Sequence, residues 1–186
     1  MQKLSMDQLN RPDVESFKKQ EKTPIVIVLD NVRSMHNVGS AFRTADGFAV
    51  EKIVLCGITA TPPHREIEKT ALGATQSVDW EHSPSASQTL SDLKENGYTL
   101  LAIEQAQGSI SLENLEIKSN QKYALIFGNE VHGVSEEVME KVDACIEIPQ
   151  FGTKHSFNVS VAIGIITWHF TYKSMLFQKN GTIEPA

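Results

Sequence analysis

The chain has 186 residues, 40% apolar and 22% charged, the balance of a globular domain and not of a disordered, collagen-like or low-complexity chain. Lys and Arg total 17 against 23 Asp and Glu, a net charge of −6; this argues mildly against a nucleic-acid partner without excluding one, because phosphate binding needs only a local basic patch. No apolar run reaches the roughly 18–20 residues of a membrane span, and residues 1–22 lack the apolar stretch of a secretory signal, so a cytoplasmic protein is expected.

Residues 1–23 are polar, with Lys18, Lys19 and Lys22 beside Glu15 and Glu21. Val14 and Phe17, three apart, suggest a short amphipathic arm. Five short apolar runs follow, at 25–29, 53–56, 99–103, 123–127 and 145–148. Each is nearly continuous instead of alternating, which predicts strands covered on both faces. Helical patterns lie between several of them, over 38–47, 67–73, 87–96 and 135–142, and a last one runs over 158–176. Gly97 stops the third. Ser135 is placed to cap the fourth, with Glu136 and Glu137 complementing its dipole and Val134, Val138, Met139 and Val142 forming its apolar face. The alternation predicts one α/β domain over 24–176, with a mostly parallel sheet, helices on both faces and a tail at 177–186. Cys56 and Cys145 read as reduced, buried thiols. The six histidines are scattered and no Cys or His spacing suggests zinc, so no metal is expected.

Three segments depart from routine packing, each just after an expected strand, where open α/β sheets bind ligands. In the first, 30–45, a polar loop enters a helix near Asn37, which can cap it. Arg43 follows six residues later, and both could reach one site if the loop folds back; alone, the pattern reads equally as a cap and a surface arginine. In the second, 127–135, Gly128 and Gly133 bracket a polar loop containing Glu130, and glycine lets backbone approach a ligand closely. The spacing is neither GxGxxG nor a Walker loop, which disfavours a dinucleotide site or P-loop. In the third, 148–162, a Pro-Gly loop brings Ser156, Asn158 and Ser160 to the start of an apolar helix, more polar groups than one cap requires.

Together the segments resemble the SpoU (TrmH-like) branch of the SPOUT RNA methyltransferases, over residues 24–172. Asn37 to Arg43 matches N-x-G-x-x-x-R, Gly128 to Gly133 matches G-N-E-x-x-G, and Ile148 to Ala162 matches I-P-x-x-G-x-x-x-S-[LF]-N-V-S-V-A. The resemblance implies a deep C-terminal trefoil knot, which base rates alone would argue against. It further implies S-adenosylmethionine (SAM) as cofactor, a homodimer with the active site near its interface, and methyl transfer to a ribose 2′-hydroxyl of tRNA or rRNA. Residue by residue, it implies Arg43 as the catalytic arginine, Asn37 ordering it, and Glu130, Ser156 and Asn158 as its companions. Gly128, Ile148 and Phe157 match positions that contact SAM largely through backbone; Phe157 stands where most relatives carry Leu.

A ribose hydroxyl must lose its proton as it attacks, so a base has to lie within hydrogen-bond reach. Free arginine, with a pKa above about 12, is a poor base. Arg43 therefore either takes the proton, as the family proposal has it, or clamps phosphate and ribose through its guanidinium fork. RNA contacts are expected from Arg33, His36, Lys154 and His155, with Arg65, Lys69 and the basic part of the arm extending the patch. The short arms favour tRNA over rRNA, with a D-loop guanosine first and the wobble ribose second. The competing readings are an rRNA enzyme, a non-catalytic RNA-binding protein on the same fold, and a nucleotide-binding Rossmann enzyme.

Overall fold

The apolar run beginning at Ile25 becomes the middle of β1 (Thr23–Asp30), and its side chains point alternately into two cores. Ile25, Ile27 and Leu29 enter one core, Val26 and Val28 the other. This two-sided burial is why the strand pattern is continuous and not alternating. The computed structural model describes residues 2–5, 7–118 and 121–178. Its seven-stranded sheet adds β2 (Val50–Cys56), β3 (Asp79–Ser83), β4 (Tyr98–Ile103), β5 (Ile110–Ser111), β6 (Lys122–Phe127) and β7 (Ala144–Glu147), in the order β3-β2-β1-β6-β4-β7-β5. Every strand pair is parallel.

The first core is covered by α2 (Met35–Gly47), α3 (Arg65–Ala71), α4 (Ala74–Ser77) and α7 (Val159–Gln178). The second is covered by α5 (Ala86–Glu95) and α6 (Glu136–Met139). The helix α1 (Val14–Lys19) precedes the sheet and lies against α4. Its Phe17 is buried, but Val14 is exposed, so of the expected pair only Phe17 packs against the domain.

All five expected strands are present. The two unforeseen ones are at the sheet edges: β3 is mostly exposed, with only Trp80 packing edge-on against Phe42, and β5 has two residues, so neither needs an apolar run. The expected helix over 135–142 is a single turn, Glu136–Met139, although Val134 and Val138 are buried as expected. Ser135 occupies its N-cap position without a side-chain capping bond, and its hydroxyl donates to the buried Asp30 carboxylate at 2.7 Å. The last helix extends through Gln178, two residues past the expected end; the remainder of the expected tail, 179–186, lies outside the described residues.

The register matters for the site. Leu29 pairs with Phe127, Phe127 with Ile103, and Ile103 with Ile146, so the carboxyl ends of β1, β6, β4 and β7 finish at one level. The loops leaving these four strands therefore start side by side.

Candidate functional site

Polar side chains buried beneath the loops hold them together. Asp30, 1% exposed, accepts the Ser135 N–H at 3.0 Å and the Asn31 amide at 2.8 Å, in addition to the Ser135 hydroxyl. The Asn129 side-chain amide donates to the Asn31 backbone carbonyl at 2.8 Å, and its Oδ1 accepts the N–H groups of Val131 and His132. Backbone bonds between Asn129 and Gly133 close the second loop on itself. Gly133 has φ +70°, and a Cβ there would overlap the Glu104 carboxylate; a Cβ on Gly128 would strike the Gly133–Val134 backbone. Gly128 is thus required by close approach to backbone, while Gly133 is favoured by its positive φ and meets only the end of the Glu104 side chain.

Glu130 joins the second loop to the first. One oxygen accepts the Arg33 N–H at 2.9 Å; the other accepts the Ser34 N–H at 3.0 Å and the Asn37 side-chain amide at 2.8 Å. Burial pushes the Glu130 carboxyl up, but the donors from Arg33, Asn37 and Ser34 outweigh it, and the net direction is below the ordinary glutamate value. Glu130 is therefore an ionised acceptor near neutral pH. Asn37 does not cap α2. Ser34 does, accepting the Asn37 N–H at 3.4 Å, and this leaves the Asn37 side chain free for Glu130.

A cleft of about 630 Å³ opens beyond the ends of β4, β6 and β7. Of the residues expected from sequence, Gly128, Glu130, Ile148, Ser156, Phe157 and Asn158 line it. Asn158 also caps α7, its side-chain Oδ1 accepting the Ser160 N–H at 2.8 Å and hydroxyl at 2.6 Å. The third loop is anchored by Gln105, whose amide donates to the His155 carbonyl at 2.7 Å. Glu104 and Gln105 line the cleft too and were missed from sequence. The available signal was a polar pair directly after the apolar run ending at Ile103, the same position at which the three other segments start. Among the described residues, Glu104, Glu130 and His132 line the cleft with no lysine or arginine, so it suits a cationic ligand better than a phosphate.

Arg43 does not line the cleft. It is exposed on α2 and has no hydrogen bond or ion pair among the described residues. Six helical positions rotate it by about 240° from Asn37, so the two side chains do not converge within one chain. Arg33, His36, Lys154 and His155 are all exposed. His36 lies 3.0 Å from Glu66, which also binds Lys69 at 2.7 Å, so part of the expected basic patch is locally matched by acid. Both cysteines are free; Cys56 is buried, with its thiol pushed up to about 11 mainly by burial, while Cys145 is only partly buried. Among the described residues, no group of three or more His, Cys, Asp or Glu is placed to share a metal ion, and no helix is long and apolar enough to cross a membrane.

A parallel α/β sheet with a polar cleft at its strand ends, bounded by a glycine-bracketed loop and the start of the C-terminal helix, defines a small-ligand-binding α/β domain. More narrowly, the chain belongs to the SpoU rRNA methylase family, whose pattern matches residues 24–168. It is 31% identical over 158 residues to a 23S rRNA (guanosine-2′-O-)-methyltransferase, RlmB, of Vibrio parahaemolyticus, an alignment covering 85% of this chain and 63% of that protein. The chain spans 61–63% of the length of the curated relatives it matches. Solved structures share its fold, two of which illustrate the likeness. An AdoMet-bound rRNA methyltransferase from Sinorhizobium meliloti superposes with a TM-score of 0.76 at 26% identity, over 82% of this chain and 57% of that one. The TrmH/SpoU tRNA modifying enzyme of A. aeolicus gives 0.76 at 27% identity, over 90% and 82%.

Proposed function

We propose that the chain is a SAM-dependent methyltransferase acting on a ribose 2′-hydroxyl of RNA. The observation that carries this reading is the cleft itself, in which residues of the second and third motifs meet around an acidic, cation-compatible space. Its residues fit SAM. Gly128, Ile148 and Phe157 would hold it largely through backbone, and the carboxylates suit its positive charge. Bound there, SAM supplies an electrophilic methyl group on a sulfonium sulfur. Glu130 holds Asn37 and the first loop against the cleft, while Ser156 and Asn158 present polar groups at its rim. Arg43, outside the cleft of its own chain, acts in this reading across a dimer interface, orienting the ribose and its phosphate or taking the hydroxyl proton.

Other features support the rest of the proposal. Val161, Trp168 and Tyr172 form an exposed stripe on α7, the last two stacked at 5.2 Å, and α7 packs beside α2; this favours a homodimer. The position of β7 between β4 and β5, with α7 packing beside α2 over the first core, is compatible with a trefoil knot; a crystal structure with an unthreaded chain would refute it. Free cysteines suit a reducing cytoplasm. Residues 24–176 form the catalytic domain in this reading, with 1–23 as its arm.

Two RNA classes are carried forward. The A. aeolicus tRNA modifying enzyme, of which this chain covers 82%, favours tRNA. Within tRNA, the D-loop guanosine stays our first choice and the wobble ribose our second. The 31% identity to an rRNA guanosine methyltransferase favours rRNA. The test is incubation of the protein with methyl-labelled SAM and total tRNA or rRNA from a strain lacking the gene, followed by nuclease mapping. Label on one 2′-O-methyl nucleotide, lost in Arg43→Ala and not restored by Arg43→Lys, is expected. No label together with no SAM binding would favour a non-catalytic RNA-binding protein.

A further inference from the structure

The two carboxylates of the cleft are not equivalent. Glu130 is occupied by three donors from the first loop. Glu104 accepts one backbone N–H on each oxygen, from Gln105 at 2.9 Å and Val134 at 3.2 Å, which fixes the carboxylate and leaves acceptor capacity on both oxygens. Its backbone is tied to β7: its N–H donates to the Ile146 carbonyl at 3.1 Å, and its carbonyl accepts the Cys145 thiol at 3.3 Å. The second loop makes room for the carboxylate through Gly133, since any Cβ there would overlap it. Among the described residues the cleft lining holds His132 but no lysine or arginine. Glu104 is half-buried, and a fixed charge so placed acts more strongly on a ligand charge than the same pair in bulk water.

We propose that Glu104 makes the cleft discriminate by charge, favouring SAM, with its positive sulfur, over the neutral thioether S-adenosylhomocysteine. This inference rests on the proposal that the cleft binds SAM. The two ligands share adenine, ribose and the amino-acid group, and differ by one methyl and one unit of charge. Contacts with the shared groups cancel in the affinity ratio, which isolates the contribution of the carboxylate. The discrimination would also help a spent cofactor leave.

The test is calorimetric titration of the full chain with SAM, S-adenosylhomocysteine and sinefungin, in which a protonated amine replaces the methyl-sulfonium centre. In Glu104→Gln the ratio of SAM to S-adenosylhomocysteine affinity should fall about tenfold from wild type, and the sinefungin ratio should fall with it. Glu104→Asp, which keeps the charge, should retain most of both ratios. Equal weakening of all three ligands in Glu104→Gln overturns the proposal and assigns Glu104 to loop support or to a shared group. If Glu104→Gln does not fold, wild type supplies the readout: SAM should bind more tightly than S-adenosylhomocysteine, and equal or tighter binding of S-adenosylhomocysteine overturns the proposal. Wild type that binds none of the three ligands refutes the cofactor assignment instead.

Discussion

Asp30→Ala and Ser135→Ala, made singly and together, probe the strut that fastens the second loop to β1. Asp30 is 1% exposed and takes both donors of Ser135, the N–H at 3.0 Å and the hydroxyl at 2.7 Å. A hydrogen bond to a charged group contributes about 1.5–3 kcal/mol, and a buried donor left unpaired costs about 1–3 kcal/mol. Ser135→Ala removes only the hydroxyl bond, so a loss of about 1.5 kcal/mol is expected. Asp30→Ala removes both Ser135 bonds and that from Asn31, but also relieves the desolvation of a buried carboxylate, which brings the net loss to about 3 kcal/mol. A chain of this length loses about 2–4 °C per kcal/mol, so Asp30→Ala should melt about 6–12 °C below wild type. The hydroxyl bond is lost in both single variants, so the double variant should be more stable than their sum predicts, by about 1.5 kcal/mol. Urea unfolding followed by circular dichroism measures all four corners of the cycle. Strict additivity, with a coupling below about 0.5 kcal/mol, would refute the argument that Asp30 acts through Ser135.

The Glu130 contribution should depend on pH in one direction. Because its folded value is lowered, its stabilisation is present above the unfolded value and is lost as pH falls through the folded one. The side chain is exposed, so the effect should stay below about 1 kcal/mol. The melting-temperature gap between wild type and Glu130→Gln should hold near neutrality and close in acid; a gap that widens on acidification would contradict the sign. Trp168→Glu, on the exposed stripe of α7, should convert a dimer into a folded monomer by light scattering, whereas wild type already monomeric at micromolar concentration removes the dimer from the proposal. Gly133→Ala should be more destabilising than Gly97→Ala. Both positions have positive φ and share a backbone cost of about 1–2 kcal/mol, but only the methyl on Gly133 meets a carboxylate. Equal losses in thermal melts would show that Glu104 yields freely.

What was legible in the sequence followed from chemistry that is local or periodic. Runs such as 25–29 and 123–127 are apolar on both faces, and only a strand buried between two helical layers uses them. The loops at 128–133 and 148–158 announced themselves because glycines and clustered polar side chains after a strand serve neither strand nor helix. The edge strand β3 was not legible, since an exposed strand carries no burial signal. Nor was the choice of Ser34 over Asn37 as the cap of α2, because either side chain can do it. That choice depended on Glu130, 93 residues away, drawing the Asn37 amide to itself.

The sequence by itself determined the α/β class, the family and the residues of three motifs, because each is written in short stretches of chain. Only the tertiary structure decided which of them share a site. It brought Glu104 beside the second and third motifs through the register of β4 with β6 and β7, a relation between strands distant in sequence. It also separated Arg43 from Asn37, because helical rotation over six positions turns one to Glu130 and the other to solvent.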